Sequence, residues 1–234
     1  MRRQVLAINN IEKKVKKKQL IEDINFTAKE GEIIGLLGAN GAGKTTIMKC
    51  ITGLTKIDSG TVEICGEALT HKQNNCLKNV GAIIETPAFY NYMTGWNNLL
   101  QYMRMDKDSI SIKRVEEVVS LVKLENNIHE KVKGYSLGMK QRLGVAQALL
   151  HNPKLLVLDE PMNGLDPKGV IDLRNLLQQL SKQGVTILIS SHLLSEIEKI
   201  ATRVLFIESG RLISDEQFEQ ISNTLEEKFL EIVS

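Results

Sequence analysis

The chain has 234 residues, of which 42% are hydrophobic and 25% charged, which excludes a disordered chain and suits one large domain or two lobes on a shared core. Lys and Arg total 30 against 28 Asp and Glu, so the net charge is only +2, too even for a general nucleic-acid clamp. The three cysteines, Cys50, Cys65 and Cys76, form no CxxC pair, which argues against a zinc or disulfide framework and for incidental thiols in a reducing compartment.

Met1-Arg2-Arg3 is followed by mixed polar residues rather than the apolar core of a signal peptide. Apolar runs such as Ile33 to Ala39 span about seven residues, where a membrane helix needs about twenty, so a membrane role would work through a partner. Lys13, Lys14, Lys16, Lys17 and Lys18 fit a solvated hairpin at a sheet edge, where lysine discourages stray pairing. A strand-like segment, Leu20 to Thr27, leads through the turn Glu30-Gly31-Glu32 to Ile33-Ile34-Gly35-Leu36-Leu37, a short apolar run suited to a strand buried on both faces. A glycine-rich loop and a helical segment, Thr45 to Thr52, come next. Thr61 to Cys65 and Val80 to Ile84 read as strands, with Ser59-Gly60 and Gly66 as turns.

From Pro87 to about Leu150 the pattern turns helical: Val115, Val118, Val119 and Val122 share one face, and Leu143, Ala146, Gln147 and Leu150 another. Leu155 to Leu158 and Val185 to Ile189 are buried-strand runs flanking a helical segment, Gly169 to Gln183. The tail, Glu216 to Ser234, reads as a short terminal helix. Strand–helix–strand alternation of this kind predicts an α/β fold with a mostly parallel sheet, an N-terminal antiparallel β part and a helical sub-domain. A single domain is expected over 1–234, with a core lobe at about 1–86 and 151–215, a helical lobe at about 87–150 and the terminal helix at about 216–234.

Gly38-Ala39-Asn40-Gly41-Ala42-Gly43-Lys44-Thr45 fits G-x-x-x-x-G-K-[ST] in full, after a predicted strand and before a predicted helix. That is a P-loop NTPase signature. Its glycines let backbone N–H groups and the positive helix end face a phosphate, with Gly38, Asn40, Gly41, Gly43 and Thr46 around it. Lys44 would pair the β- and γ-phosphates of a nucleoside triphosphate and Thr45 would ligate Mg²⁺. Leu155-Leu156-Val157-Leu158-Asp159-Glu160 is an apolar strand ending in two carboxylates that point in different directions. Asp159 would hold the Mg²⁺ shell, and Glu160 would act as general base on the attacking water.

With these motifs the chain resembles the nucleotide-binding subunits of ATP-binding cassette (ABC) transporters over nearly its whole length. Tyr135-Ser136-Leu137-Gly138-Met139-Lys140-Gln141-Arg142 stands where that family carries its LSGGQ signature, followed by Asp159-Glu160-Pro161, Gly164-Leu165-Asp166 and Ser190-Ser191-His192 in the family's order. The resemblance implies an ATPase working as a head-to-tail dimer of two copies. Ser136 and Gly138 of one copy would hold the γ-phosphate bound by the other, His192 would position water with Glu160, and Asp166 would link the two sites. It further implies Mg²⁺ and ATP as cofactors, separate transmembrane permease subunits as partners, no nucleic acid, and a cytoplasmic, peripheral place on the inner face of the membrane.

Four positions depart from the family pattern. Glu85, in Ile83-Ile84-Glu85-Thr86-Pro87, replaces the usual glutamine; it would ligate Mg²⁺ harder but repel phosphate unless the metal lies between. In the signature, Leu137 replaces a glycine and Met139 the glutamine. Val15 stands where an aromatic normally stacks on adenine, which predicts weaker ATP affinity or looser base selectivity. The segment Ala88 to Thr94 would line the groove for a permease helix. Together these features resemble the bacitracin- and lantibiotic-resistance branch, and the short chain is most similar to the ATPase of lantibiotic self-protection exporters. The expectations are therefore export of an antimicrobial peptide, with bacitracin or another drug as the alternative cargo and a non-transport nucleotide switch as the alternative of another class.

Overall fold

A computed structural model describes residues 2–70, 74–105, 110–220 and 224–233. The chain opens with two long strands, β1 (Gln4–Val15) and β2 (Lys18–Lys29), followed by β3 (Ile33–Leu37) and α1 (Lys44–Ile51). Next come β4 (Ser59–Ile64), β5 (Glu67–Ala68) and β6 (Val80–Ile83). Three helices, α2 (Gly95–Met105), α3 (Ile112–Leu121) and α4 (Leu137–Leu149), precede β7 (Leu155–Leu158). The remainder is α5 (Pro167–Lys182), β8 (Thr186–Ser190), the short α6 (Leu194–Ile197), β9 (Arg203–Glu208), β10 (Arg211–Gln217) and α7 (Leu225–Val233).

Two sheets organise these elements. An antiparallel sheet has the order β2-β1-β4-β5, and a larger one the order β10-β9-β3-β8-β7-β6. In the larger sheet β9, β3, β8, β7 and β6 are mutually parallel, and only β10 runs antiparallel at the edge. Its central strands are buried on both faces, as their unbroken apolar runs require. Ile33 and Leu37 of β3 face one hydrophobic core, formed with α3, α4 and α5, while Ile34 and Leu36 face another, formed with α1 and the antiparallel sheet. Val115, Val118, Val119 and Val122 are all buried in the first core. The phosphate loop leaves the middle of this sandwich, at the carboxyl end of β3, where an α/β sheet places its ligands.

Several elements differ from their sequence reading. Ser59 and Gly60, read as a turn, open β4 instead. β1 shifts register between Asn9 and Glu12 to meet them, and a Cβ on Gly60 (φ +84°) would lie 2.3 Å from the Asn10 carbonyl oxygen, so this bulge accepts only glycine. The tail begins as strand: Glu216 and Gln217 pair with Val204 and Arg203, and the terminal helix starts only at Leu225. Residues 221–223 and 234 of that predicted helix lie outside the described residues. The lysine-rich segment is the β1–β2 hairpin tip on the edge strand β2, and Lys13 there pairs with Asp58 at 3.1 Å. Cys50 and Cys76 are buried and Cys65 half-buried, all three as free thiols; burial pushes the Cys50 thiol up to about 11, out of the reactive range.

Candidate nucleotide site

The loop from Gly38 to Lys44 joins β3 to α1, with Asn40 and Gly41 exposed. Gly38 is forced by contact: a Cβ there would stand 2.2 Å from the Ile207 carbonyl oxygen of β9. α1 starts with no side-chain cap and no acidic residue in its first turn, so its N-terminal amides and positive dipole end face outward, ready for an anion. Thr45 and Thr46 lie half-buried in that turn. Lys44 is itself buried, its ammonium donating to the carbonyls of Gly38 at 2.7 Å and Ala39 at 3.2 Å. Burial lowers its pKa, and the carboxylates of Glu160 and Asp159 pull in the opposite direction.

Asp159 follows β7 and is nearly inaccessible, at 4% exposure. A carboxylate buried to that degree needs partners. It has them: Thr45 Oγ1 donates to Oδ2 at 2.9 Å, and Ser190 Oγ donates to Oδ1 at 2.7 Å. Ser190 Oγ also accepts from the Glu160 backbone N–H at 2.9 Å, so one hydroxyl fixes both consecutive acids. The parallel register explains the meeting, because Leu158 stands opposite Ile189 and the next residues on each strand are therefore neighbours. Glu160 turns away in a left-handed backbone, φ +50°, and its Oε2 receives His192: Nδ1 lies at 2.8 Å and the His192 backbone N–H donates at 3.2 Å.

Glu85, two residues beyond β6, also has a left-handed backbone, φ +63°. Each such non-glycine residue costs of order ~1–2 kcal/mol, and the two among these acids sit at the same end of the sheet. The Glu85 carboxylate pairs with Lys49 Nζ at 2.6 Å. Ser136 caps α4 by accepting from the Met139 N–H at 3.2 Å, and Asp166 caps α5 by accepting from the Gly169 N–H at 3.0 Å. Ser136, Gly138 and Asp166 line one surface depression of about 270 Å³, with Lys168 at its wall.

Direct hydrogen bonds thus gather Lys44's loop, Thr45, Asp159, Glu160 and His192 at one sheet end, while Ser136, Gly138 and Asp166 form a separate patch on α4 and α5. The donor set fits Mg²⁺: a threonine hydroxyl and an aspartate carboxylate already in contact are hard oxygen ligands, the rest of the shell being left to phosphate and water. Sequence reasoning missed Ser190 as a site residue, because only the pairing of β7 with β8 brings it to Asp159. It also missed Lys49, four residues after Thr45 and so on the same face of α1. Val15 is exposed at the hairpin tip.

A groove of about 480 Å³ lies between the lobes beside Glu85, lined by Leu54, Ile84, Pro87, Ala88, Tyr102 and Gly144 among others. Of the segment expected to line it, Ala88 does; Tyr90 and Tyr92 stand exposed, their rings tilted 5.8 Å apart.

Comparison with known proteins agrees with this architecture. The ABC transporter family model matches residues 21–163. An uncharacterised ABC transporter ATP-binding protein of Bacillus subtilis, YhcH, is 47% identical over 89% of this chain and 68% of its own. The bacitracin transport ATP-binding protein BcrA of Bacillus licheniformis is 40% identical over 97% of this chain and 74% of its own. The lantibiotic transport ATP-binding protein SrtF of Streptococcus pyogenes is 39% identical over 96% of both chains. A solved ATP-binding subunit of an ABC transporter superposes with a TM-score of 0.88 at 26% identity, covering 98% of this chain and all of that one.

Proposed function

The chain belongs to the ABC transporter family as an ATP-binding, ATP-hydrolysing subunit, and from that premise we propose that it powers export of an antimicrobial peptide from the membrane. The observation that carries the catalytic part is the Thr45–Asp159–Ser190–Glu160–His192 network. The phosphates of ATP enter at the N-terminus of α1, and Lys44 leaves the carbonyls of Gly38 and Ala39 to pair with them. Thr45, Asp159 and Glu85 would hold Mg²⁺, which would supply charge neutralisation to the bound phosphates. Glu160 accepts the proton of the attacking water, and His192 aims its carboxylate through Oε2.

A second copy completes the site. Ser136 and Gly138 project from the start of α4, where free amides and the helix dipole suit the γ-phosphate bound by the facing copy, and Asp166 lies beside them to sense its occupancy. No helix among the described residues is long and apolar enough to cross a membrane. The transporter reading gives the pathway to permease subunits. The interlobe groove beside Glu85 is where one of their helices docks, and this holds the subunit against the inner face of the membrane.

The lantibiotic reading of the cargo rests on SrtF, similar over 96% of its length, and the bacitracin reading on BcrA. A host carrying Lys44→Ala, challenged with lantibiotics, bacitracin and unrelated drugs, separates them. Selective loss of tolerance to a lantibiotic supports the first, and loss toward bacitracin supports the second. Unchanged tolerance across the panel removes antimicrobial export and leaves the ATPase standing.

A further inference from the structure

β6 and β7 run parallel with Ile83 opposite Leu158, so Glu85 and Asp159 emerge at the same end of the sheet. Helix α1 addresses both. Thr45 reaches Asp159 at 2.9 Å, and one turn later Lys49 reaches Glu85 at 2.6 Å. The Glu85 backbone is left-handed, and its carboxylate meets α1 at Lys49. Yet the Glu85 side chain is 65% exposed, and an ion pair so open to water adds little to folding. Its place gives it another use. A free carboxylate here would face a polyphosphate, and Lys49 cancels that charge.

We propose that Lys49 is a positioning residue that competes with the Mg²⁺ of bound ATP for the Glu85 carboxylate, holding it off the metal until nucleotide and metal are both present. This rests on the reading of Glu85 as a metal ligand, and it assigns Lys49 a role in how readily the metal is taken up. Because the pair is solvent-exposed it is weak, so Glu85 can exchange partners. A buried pair in the same place would lock.

The test is a binding measurement on the purified chain. Binding of a fluorescent ATP analogue is followed while Mg²⁺ is raised from EDTA-chelated conditions, at low salt and at about 0.5 M salt, where longer-range charge effects are screened. Lys49→Gln frees Glu85, so the Mg²⁺ concentration for half-maximal binding falls about 2–5-fold at low salt, the range an exposed pair supports, and by a smaller factor at high salt, where the pair itself is screened. Lys49→Arg keeps the wild-type value. Glu85→Gln raises it, and Lys49→Gln added to Glu85→Gln changes nothing further at high salt.

An unchanged Mg²⁺ requirement in Lys49→Gln, or the same fall in the Glu85→Gln background, overturns the proposal while Glu85 remains a ligand. An unchanged requirement in Glu85→Gln overturns the ligand reading itself, and the competition with it. Matching thermal melts for wild type and the four variants exclude a folding cause.

Discussion

Leu137 rests on Gly164. A Cβ built on Gly164 would come within 2.4 Å of Leu137 Cδ2, so the leucine that replaces a signature glycine fills the space over the loop leading to Asp166. The two elements that would face a partner copy are thereby in contact within one chain. Gly164 also has φ +70°, so Gly164→Ala carries left-handed strain of about 1 kcal/mol in any background. With Leu137 present, the leucine must also swing off its contact. A double-mutant cycle with Leu137→Ala, read by denaturant midpoints, should therefore show a smaller cost of Gly164→Ala when Leu137 is gone, by about 0.5–1 kcal/mol. Equal costs in both backgrounds would mean that the contact carries no energy.

Glu160→Gln keeps the side chain's shape and its place beside His192 but removes the proton acceptor. Steady-state phosphate release should fall about 10²–10⁴-fold, with ATP affinity within a few-fold of wild type. The trapped ATP complex should sediment as a dimer. Hydrolysis within tenfold of wild type would move the base elsewhere.

Much of this was legible because local rules agreed with one another. The run Ile33 to Leu37 specified a strand buried on both faces, and the glycine-rich loop after it specified the anion end of α1. Asp159 and Glu160 were legible as a pair because they end an apolar strand. Their support was not. Ser190 joins Asp159 only through the adjacency of β7 and β8, a relation between residues 31 apart that no local pattern encodes. Lys49 meets Glu85 only because α1 passes the end of β6. The β9–β10 hairpin was missed, although β10 alternates exposed and half-buried residues with the period of a strand. Ser59 and Gly60 look like a turn by composition, and only the approach of Asn10 shows the glycine serving a bulge.

Asp172 on α5 is held from the helical lobe by Arg142 at 2.8 Å and Lys123 at 3.2 Å. The hydrogen bond from Lys123 leads, with the charges of both cations, in holding its carboxyl below the usual value of 3.8. A depressed folded-state pKa means that the stabilisation is complete above the unfolded value and disappears as pH falls through the folded one. Wild type should lose this increment below about pH 4, and it should be modest, under about 1 kcal/mol, because water reaches the pair. Asp172→Asn should lower stability at neutral pH by that amount and converge on wild type at the acid end. A difference that persists at the lowest pH at which the chain remains folded would assign the effect to packing.

Ser190→Ala tests whether one hydroxyl organises both acids. Its removal leaves Asp159 Oδ1 buried without its donor and the Glu160 N–H without its acceptor. Buried groups stranded in this way cost about 1–3 kcal/mol together with the lost bonds. For a chain of this size that is a fall of roughly 2–4 °C in melting temperature per kcal/mol. The functional effect should exceed what stability explains, because Asp159 then relies on Thr45 alone and Glu160 loses its backbone anchor next to His192. Turnover should drop at saturating Mg-ATP, and the Mg²⁺ requirement should rise. Ser190→Thr, which keeps the hydroxyl, should recover both if the pocket admits the methyl group. A Ser190→Ala protein that melts lower but hydrolyses ATP at the wild-type rate would reduce Ser190 to a packing residue.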